Sequence, residues 1–371
     1  MLPKDSAEAL FNRIVLSMAP GIGPRLACAL VDRFGSPDGV LAATPKELIQ
    51  VSRMTEAKAR ALKDPEILTR AEAELTFIAD HNVQTYFLTD DNYPQRLRDC
   101  HDAPIMLFGK GNTSLEAEKT VAIIGTRKNT DYGLKLTEEL VDGLKEVPGI
   151  LVISGLAYGI DAIAHKKAVK SGVPTLGVLA HGLDNIYPPM HKNLSLEMLG
   201  NGGLLTEFTS GTNPDRSNFP IRNRIVAGLS DVTVVVESDI KGGAIITAML
   251  AASYHREVMA FPGRITDTRS AGCNDLLQKN MASMITRAGD LLSLMRWAAN
   301  TGVSAKPQLL FPDLQPEEQK IIDILQGKES VHSDELFHLT GFPASSLAST
   351  LLQLEMLGAV KTLPGKRYKL A

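Results

Sequence analysis

An α/β protein built on a doubly wound parallel sheet, with a helical unit before it and a small winged unit after it, is predicted by three observations. Downstream of Gly111, short β-branched runs alternate with helix-length stretches, the pattern of βαβ units. Residues 1–82 carry helical spacing and few strand signals. The last 56 residues (316–371) hold three helix-length segments and close on two β-like runs about a Pro-Gly turn.

The elements follow in chain order. Leu10–Leu16 leads into Pro20-Gly21-Ile22-Gly23-Pro24, and Arg25–Phe34 ends at Gly35. Helix, glycine hairpin and helix make a helix-hairpin-helix, or SAM-like, unit. A poorer second copy runs from Pro45 to Arg60 without hairpin glycines. Residues 1–80 hold ten Lys+Arg against eleven Asp+Glu. This neutral field leaves a structural or protein-docking role open beside DNA binding. Tyr86–Leu88, Tyr93-Pro94 and Pro104–Phe108 read as strands and turns that lead into the main domain, residues 83–299. Its strands are expected at Val121–Gly125, Leu151–Gly155, Thr175–Ala180, Leu204–Phe208, Val232–Glu237 and Val258–Phe261, with helices such as Gly133–Lys145 and Asp161–Lys170 between them. The sheet is therefore an extended Rossmann-like one, whose ligands sit beyond the carboxyl ends of the strands. Residues 300–315 mix Gly, Ser and Pro and read as a linker. Beyond it, Glu317–Gln326, Ser333–Thr340 with a serine cap, and Ala344–Leu357 are helices, and Val360–Lys369 is a wing. This winged helix is unusual in one respect: ASSLASTLLQLEML, in the recognition position, has no Lys, Arg or Asn. Major-groove readout uses such side chains, so a protein contact or a role for the wing alone fits better.

Composition narrows the function. At 371 residues and 44% hydrophobic content, the chain can fold as two or three domains. Cys28, Cys100 and Cys273 are widely spaced and odd in number. That is the usage of buried thiols in a reducing, cytoplasmic setting. The first residues lack an apolar signal core, and no run is long enough to span a membrane. With a net charge of −3, nucleic-acid binding requires a local basic pocket and not a global field.

Three strand ends are candidates for that pocket. Gly125-Thr126-Arg127-Lys128 follows the first strand, and Gly155 to Gly159 lies in the loop after the second. Lys241-Gly242-Gly243 follows the fifth and opens an alanine-rich helix containing Thr247. Glycines there let backbone amides approach a phosphate, and a helix start adds a positive dipole end. Just upstream, Phe219, Arg222, Asn223 and Arg224 offer cations and a stacking ring. Together these residues read as a phosphate-and-base site, with Arg127, Arg222 and Arg224 expected to converge on one groove. An ordinary α/β turn with surface arginines is the plainer alternative. Neither GxGxxG with a later acid nor GxxxxGK[ST] occurs at these loops, so no dinucleotide or NTP cofactor is expected. Asp161 and His165 could form an acid/base or metal pair, but without a third ligand a buried or capping role is favoured. His181, His191 and His255 stand alone as ordinary histidines. Glu237 could be a catalytic carboxylate, although orienting Arg222 or Arg224 is the favoured reading. No catalytic or metal residue is assigned.

GTR at 125–127, SGLAYGIDAIAH at 154–165, NFPIRNR at 218–224, the Gly242–Thr247 turn, Phe261-Pro262-Gly263 and Ser270-x-Gly272-x-Asn274 occur in this order. In combination they resemble the DNA-processing protein A (DprA/Smf) family over the whole chain. The resemblance implies a non-enzymatic binder of single-stranded DNA that protects incoming strands in natural transformation and helps load a RecA-type recombinase. It also implies a homodimer formed through the Rossmann-like domain. Arg127, Arg222 and Arg224 resemble the family's phosphate-contacting cations, and Gly125, Thr126, Gly155, Gly159, Gly242 and Gly243 its amide positions. Lys241-Gly242-Gly243-Ala244 departs from the family's Ser-Gly-Ser type turn, and Asn280-Met281-Ala282 stands where Gly-Ala is expected. Two rival classes remain: a Rossmann-like nucleotide phosphoribohydrolase with Glu237 as catalytic acid, and a duplex-binding regulator built on the winged helix.

Overall fold

The structure, a computed structural model, describes residues 4–112, 114–297 and 314–371. The expected linker lies outside the described residues apart from Leu314 and Gln315. The helical unit runs through α1 (Lys4–Met18), α2 (Pro24–Phe34), α3 (Pro37–Ala42), α4 (Pro45–Leu48), α5 (Glu56–Ala61) and α6 (Pro65–His81). Prolines open α2, α3, α4 and α6, where a fixed φ suits the first turn and the missing N–H has no partner to lose. Ser36, Thr44, Thr55 and Asp64 accept hydrogen bonds from the first turns of α3 to α6. Both hairpins form. The first turns at Gly21 (φ 78°), and the second places Arg53 in the same left-handed region (φ 68°), which is why glycine did not mark it.

This unit buries Ile14, Leu16, Leu30 and Leu48 against Phe87, Met106 and Phe108. The last three belong to β1 (Gln84–Phe87) and β2 (Met106–Gly111), which are separated by α7 (Gln95–Arg98). The helical unit and the sheet edge therefore share one core. Arg13 pairs with Asp90 at 2.6 Å, and Glu74 accepts from the Ser210 amide at 2.8 Å.

The main domain continues as β3 (Lys119–Ile124), α8 (Asp131–Leu144), β4 (Ile150–Ser154), α9 (Ile160–Ser171), β5 (Thr175–Val178), α10 (Lys192–Met198) and β6 (Gly202–Thr206). It is completed by α11 (Asn218–Leu229), β7 (Val232–Val235), α12 (Gly243–Ser253), β8 (Glu257–Ala260), α13 (Ala271–Gln278), β9 (Ser283–Met284) and α14 (Ala288–Leu294). Among the described residues the sheet has nine strands in the order β1-β2-β6-β5-β4-β3-β7-β8-β9. From β6 to β9 every neighbouring pair is parallel, while β2 joins β6 and β1 joins β2 antiparallel. Alternation along a strand feeds two cores. Ala122 and Ile124 of β3 pack with Ile225 of α11 and Ala248 of α12, and Val121 and Ile123 pack with Leu140 of α8 and Ala164 of α9. Each fully buried Val, Leu or Ile in such a layer contributes ~1.5–3 kcal/mol. The winding reverses at β3: β4, β5 and β6 build to one side, β7, β8 and β9 to the other. Ligand crevices open at such a reversal.

The winged unit contains α15 (Pro316–Leu325), β10 (Val331–His332), α16 (Ser333–Thr340), α17 (Ala344–Met356), β11 (Val360–Leu363) and β12 (Arg367–Leu370) around its own core. The cap of α16 is His332 and not the expected serine, since its Nδ1 accepts from the Asp334 amide at 3.3 Å. The wing rests on the main domain. Gly365 N–H donates to His255 O at 2.9 Å, and Arg367 pairs with Asp99 at 2.9 Å. Cys100 and Cys273 are buried, with thiols pushed up to about 12 by burial, whereas Cys28 is only half-buried.

Candidate nucleic-acid interface

Beyond the carboxyl ends of β3, β4 and β7 lies a groove of about 240 Å³. The loop after β3 supplies Gly125, Thr126 and Arg127, α11 supplies Phe219, Arg222 and Asn223, and the start of α12 supplies Gly242, Gly243 and Thr247. All three come together because β3 lies between β4 and β7. Arg127 is exposed, and its guanidinium sits 4.8 Å from the centre of the Phe219 ring. The Tyr187 ring lies 6.1 Å from it, tilted by 59°. A recess opens beside it, lined by Tyr158, His181 and Tyr187. These aromatic neighbours were absent from the sequence-based set, and only the Tyr158 motif hinted at one of them.

Anion-binding capacity is concentrated on one wall. Gly242 caps α12 without a side-chain acceptor; its own N–H donates to Asp239 O at 2.9 Å and Ile245 N–H to Gly242 O at 3.1 Å, which leaves the Gly243 and Ala244 amides for a ligand. Two of the other expected amides are committed elsewhere. Gly155 N–H donates to Asp161 at 3.1 Å, and Thr126 N–H to Glu237 O at 2.7 Å. Gly155 and Gly159 are glycine for a different reason. A Cβ on Gly155 would fall 2.5 Å from the Arg222 guanidinium, and one on Gly159 (φ 76°) 2.2 Å from Thr126 O.

The three arginines do not act together. Arg222 is buried; its Nη1 donates to Gly155 O at 2.6 Å and to Val178 O, and its Nε to Asn223 Oδ1 at 3.2 Å. Burial lowers it to about 10, with Asp161 opposing and Arg127 adding to the shift. It remains a cation at neutral pH, but it braces the strand ends and backs the groove from within. Arg224 points away, two residues along the helix and thus on another face. It pairs with Glu207 and donates to Asp102 O. Burial raises Glu207 to about 7 against the pull of Arg224. The expected convergence therefore holds for Arg127 and Arg222, and Arg224 stands outside it. Lys128 and Lys241 are exposed beyond the groove wall.

Glu237 orients neither arginine. It is fully buried and accepts from the Thr130 amide at 2.9 Å and from the Thr130 hydroxyl, which fixes the start of α8. Asp161 and His165 are buried but do not bond each other. His165 Nδ1 meets Thr175 Oγ1 at 2.7 Å, and burial pulls this histidine to about 3. His181 and His191 are core residues as well. Asp239, also on the groove wall, is paired with Arg269 at 3.1 Å.

The family description "DNA recombination-mediator protein A" matches residues 84–296, "DprA winged helix domain" residues 305–366 and "SAM-like Helix-hairpin-helix tandem" residues 14–64. Protein Smf of Synechocystis is 31% identical over 391 residues, covering 95% of this chain and 96% of its own. The chain belongs to the DprA/Smf family. The DNA processing protein DprA of Streptococcus pneumoniae is 39% identical over 56% of this chain and 73% of its own. Its X-ray structure covers 76% of this chain and 97% of its own at 30% identity, with a TM-score of 0.66. A structure described as showing the single-stranded DNA binding mode of DNA processing protein A from Helicobacter pylori covers 58% of this chain and 95% of its own at 32% identity, with a TM-score of 0.52. DprA/Smf membership thus spans all three units. Among the described residues no helix is long and apolar enough to cross a membrane.

Proposed function

We propose that the groove binds single-stranded DNA and that the protein is a non-enzymatic recombination mediator. In this reading it protects incoming strands, as in natural transformation, and helps load a RecA-type recombinase in the cytoplasm. The observation that carries the reading is the pairing of uncapped α12 amides with Arg127 stacked on a part-exposed Phe219. Amides and a guanidinium hold phosphate, and a ring accepts any base. The solved relative described as binding single-stranded DNA supports the same assignment. Gly125, Thr126, Arg127, Phe219, Gly242, Gly243 and Thr247 form the contact wall, with Arg222 and Asn223 behind it. A homodimer through the main domain is supported by apolar side chains that α12 and its preceding loop leave exposed: Ile240, Ile246 and Met249. The phosphoribohydrolase alternative loses its acid, because Glu237 is closed off beneath Thr130.

The test is a titration of single- and double-stranded oligonucleotides across salt, run beside a nucleoside monophosphate hydrolysis assay. Single strands should bind more tightly, with a log-log salt slope near −0.7 per phosphate contacted. Equal affinity for duplex, or release of free base that Glu237→Gln abolishes, would overturn the proposal.

A further inference from the structure

The helical unit is tied to two loops of the main domain that carry the aromatic residues beside the groove. Glu74 of α6 is buried, and its carboxylate accepts three hydrogen bonds: from Arg70 Nη2 at 2.9 Å, from the Ser210 amide at 2.8 Å and from the Ser210 hydroxyl at 2.6 Å. Arg70 Nη2 also donates to Ser210 O. A carboxylate held out of water is costly unless it is paired and bonded in this way. The ion pair thus closes as a clamp on Ser210, in the loop between β6 and α11, the helix that bears Phe219 and Arg222. That loop is bonded to the one after β5. Gly211 N–H donates to Asp184 Oδ1 at 2.8 Å, and Gly182 N–H to Thr212 O at 3.2 Å. The β5 loop packs Leu183 against the core that the helical unit shares with β1 and β2, and it carries Tyr187, whose ring neighbours Phe219. Both loops behind this aromatic pair therefore lead back to the helical unit.

We propose that Glu74 is a positioning residue for strand binding: by holding Ser210 it fixes the two loops against each other, and with them the setting of Phe219 against Tyr187. Glu74 itself touches no strand. The inference rests on the DNA-binding reading, and the experiment separates the two. Glu74→Ala with Arg70→Ala removes both halves of the clamp, leaves the net charge unchanged and strands no unpaired charge. Circular-dichroism melting reports whether the variant folds. The probe is a short oligothymidylate carrying one 2-aminopurine, whose fluorescence is quenched where the base stacks.

With protein in saturating excess, the wild type should quench the probe and the variant should quench it less, a difference that a smaller folded fraction would not produce. Affinity should fall about 5-fold, the low end of what stacking one base is worth, and further in Phe219→Ala. The log-log salt slope should stay as it is, because no phosphate contact is lost. Glu74→Gln, which keeps an acceptor in place, should quench as the wild type does. If the alanine pair does not fold, Ser210→Ala with Asp184→Ala loosens the same link from the main-domain side, at an exposed position in the case of Asp184, and carries the same expectation. Wild-type quenching in a folded clamp variant overturns the positioning role. If Phe219→Ala quenches like the wild type, the groove reading itself fails, and the role of Glu74 falls with it.

Discussion

The groove at the strand ends and helix α17 of the winged unit offer opposite answers to the same problem. Both present a helix where a nucleic acid could approach. In the groove, a loop arginine stacks on Phe219 beside an uncapped helix start. Helix α17 exposes Leu352 (59%) and Met356 (81%) together with small residues, and it bears no cation. The wing next to it is engaged with His255 and Asp99. A DNA-binding topology is thus present without the cations it usually carries, and in the function proposed above the phosphate-binding groups sit on a sheet that many non-DNA proteins share. Function follows the placed donors, not the fold.

Substitutions can break or sharpen this contrast. The largest effect is expected from Arg222→Ala, which strips a cation from Asp161 and two buried carbonyls. It should destabilise the fold by about 3–5 kcal/mol, read as a lower denaturant midpoint, and binding should fall with it. Wild-type stability would show that Arg222 does not brace the strand ends. Arg127→Ala comes next. With stability unchanged, single-strand affinity should drop by ~1.5–3 kcal/mol, the range for a charged hydrogen bond. Phe219→Ala should cost ~1–3 kcal/mol of affinity per base unstacked and leave the salt slope as it was, because stacking releases no counterion. A slope that changes with the ring would mean the ring only positions Arg127. The smallest effect is assigned to α17: Leu352→Ser with Met356→Ser should not alter single-strand affinity in a filter-binding assay. A loss there would erase the difference between the two regions.

The sequence by itself determined the order of elements and the loops that line the groove. Val232–Val236 could be read as a strand because β-branched residues buried on both faces announce themselves locally. The glycine turn at 242–243 and the lack of any cation on α17 were equally plain. Tertiary structure alone decided what each charged side chain does. Arg222 and Arg224 look alike in sequence, yet one backs the groove and the other closes on Glu207. Glu237 ends β7 beside the loop after β3, so it reaches Thr130 and not an arginine. Periodicity and turn chemistry are properties of a few neighbouring residues. The partner of a charge is set by which strands lie side by side, and that register exists only once distant segments have packed.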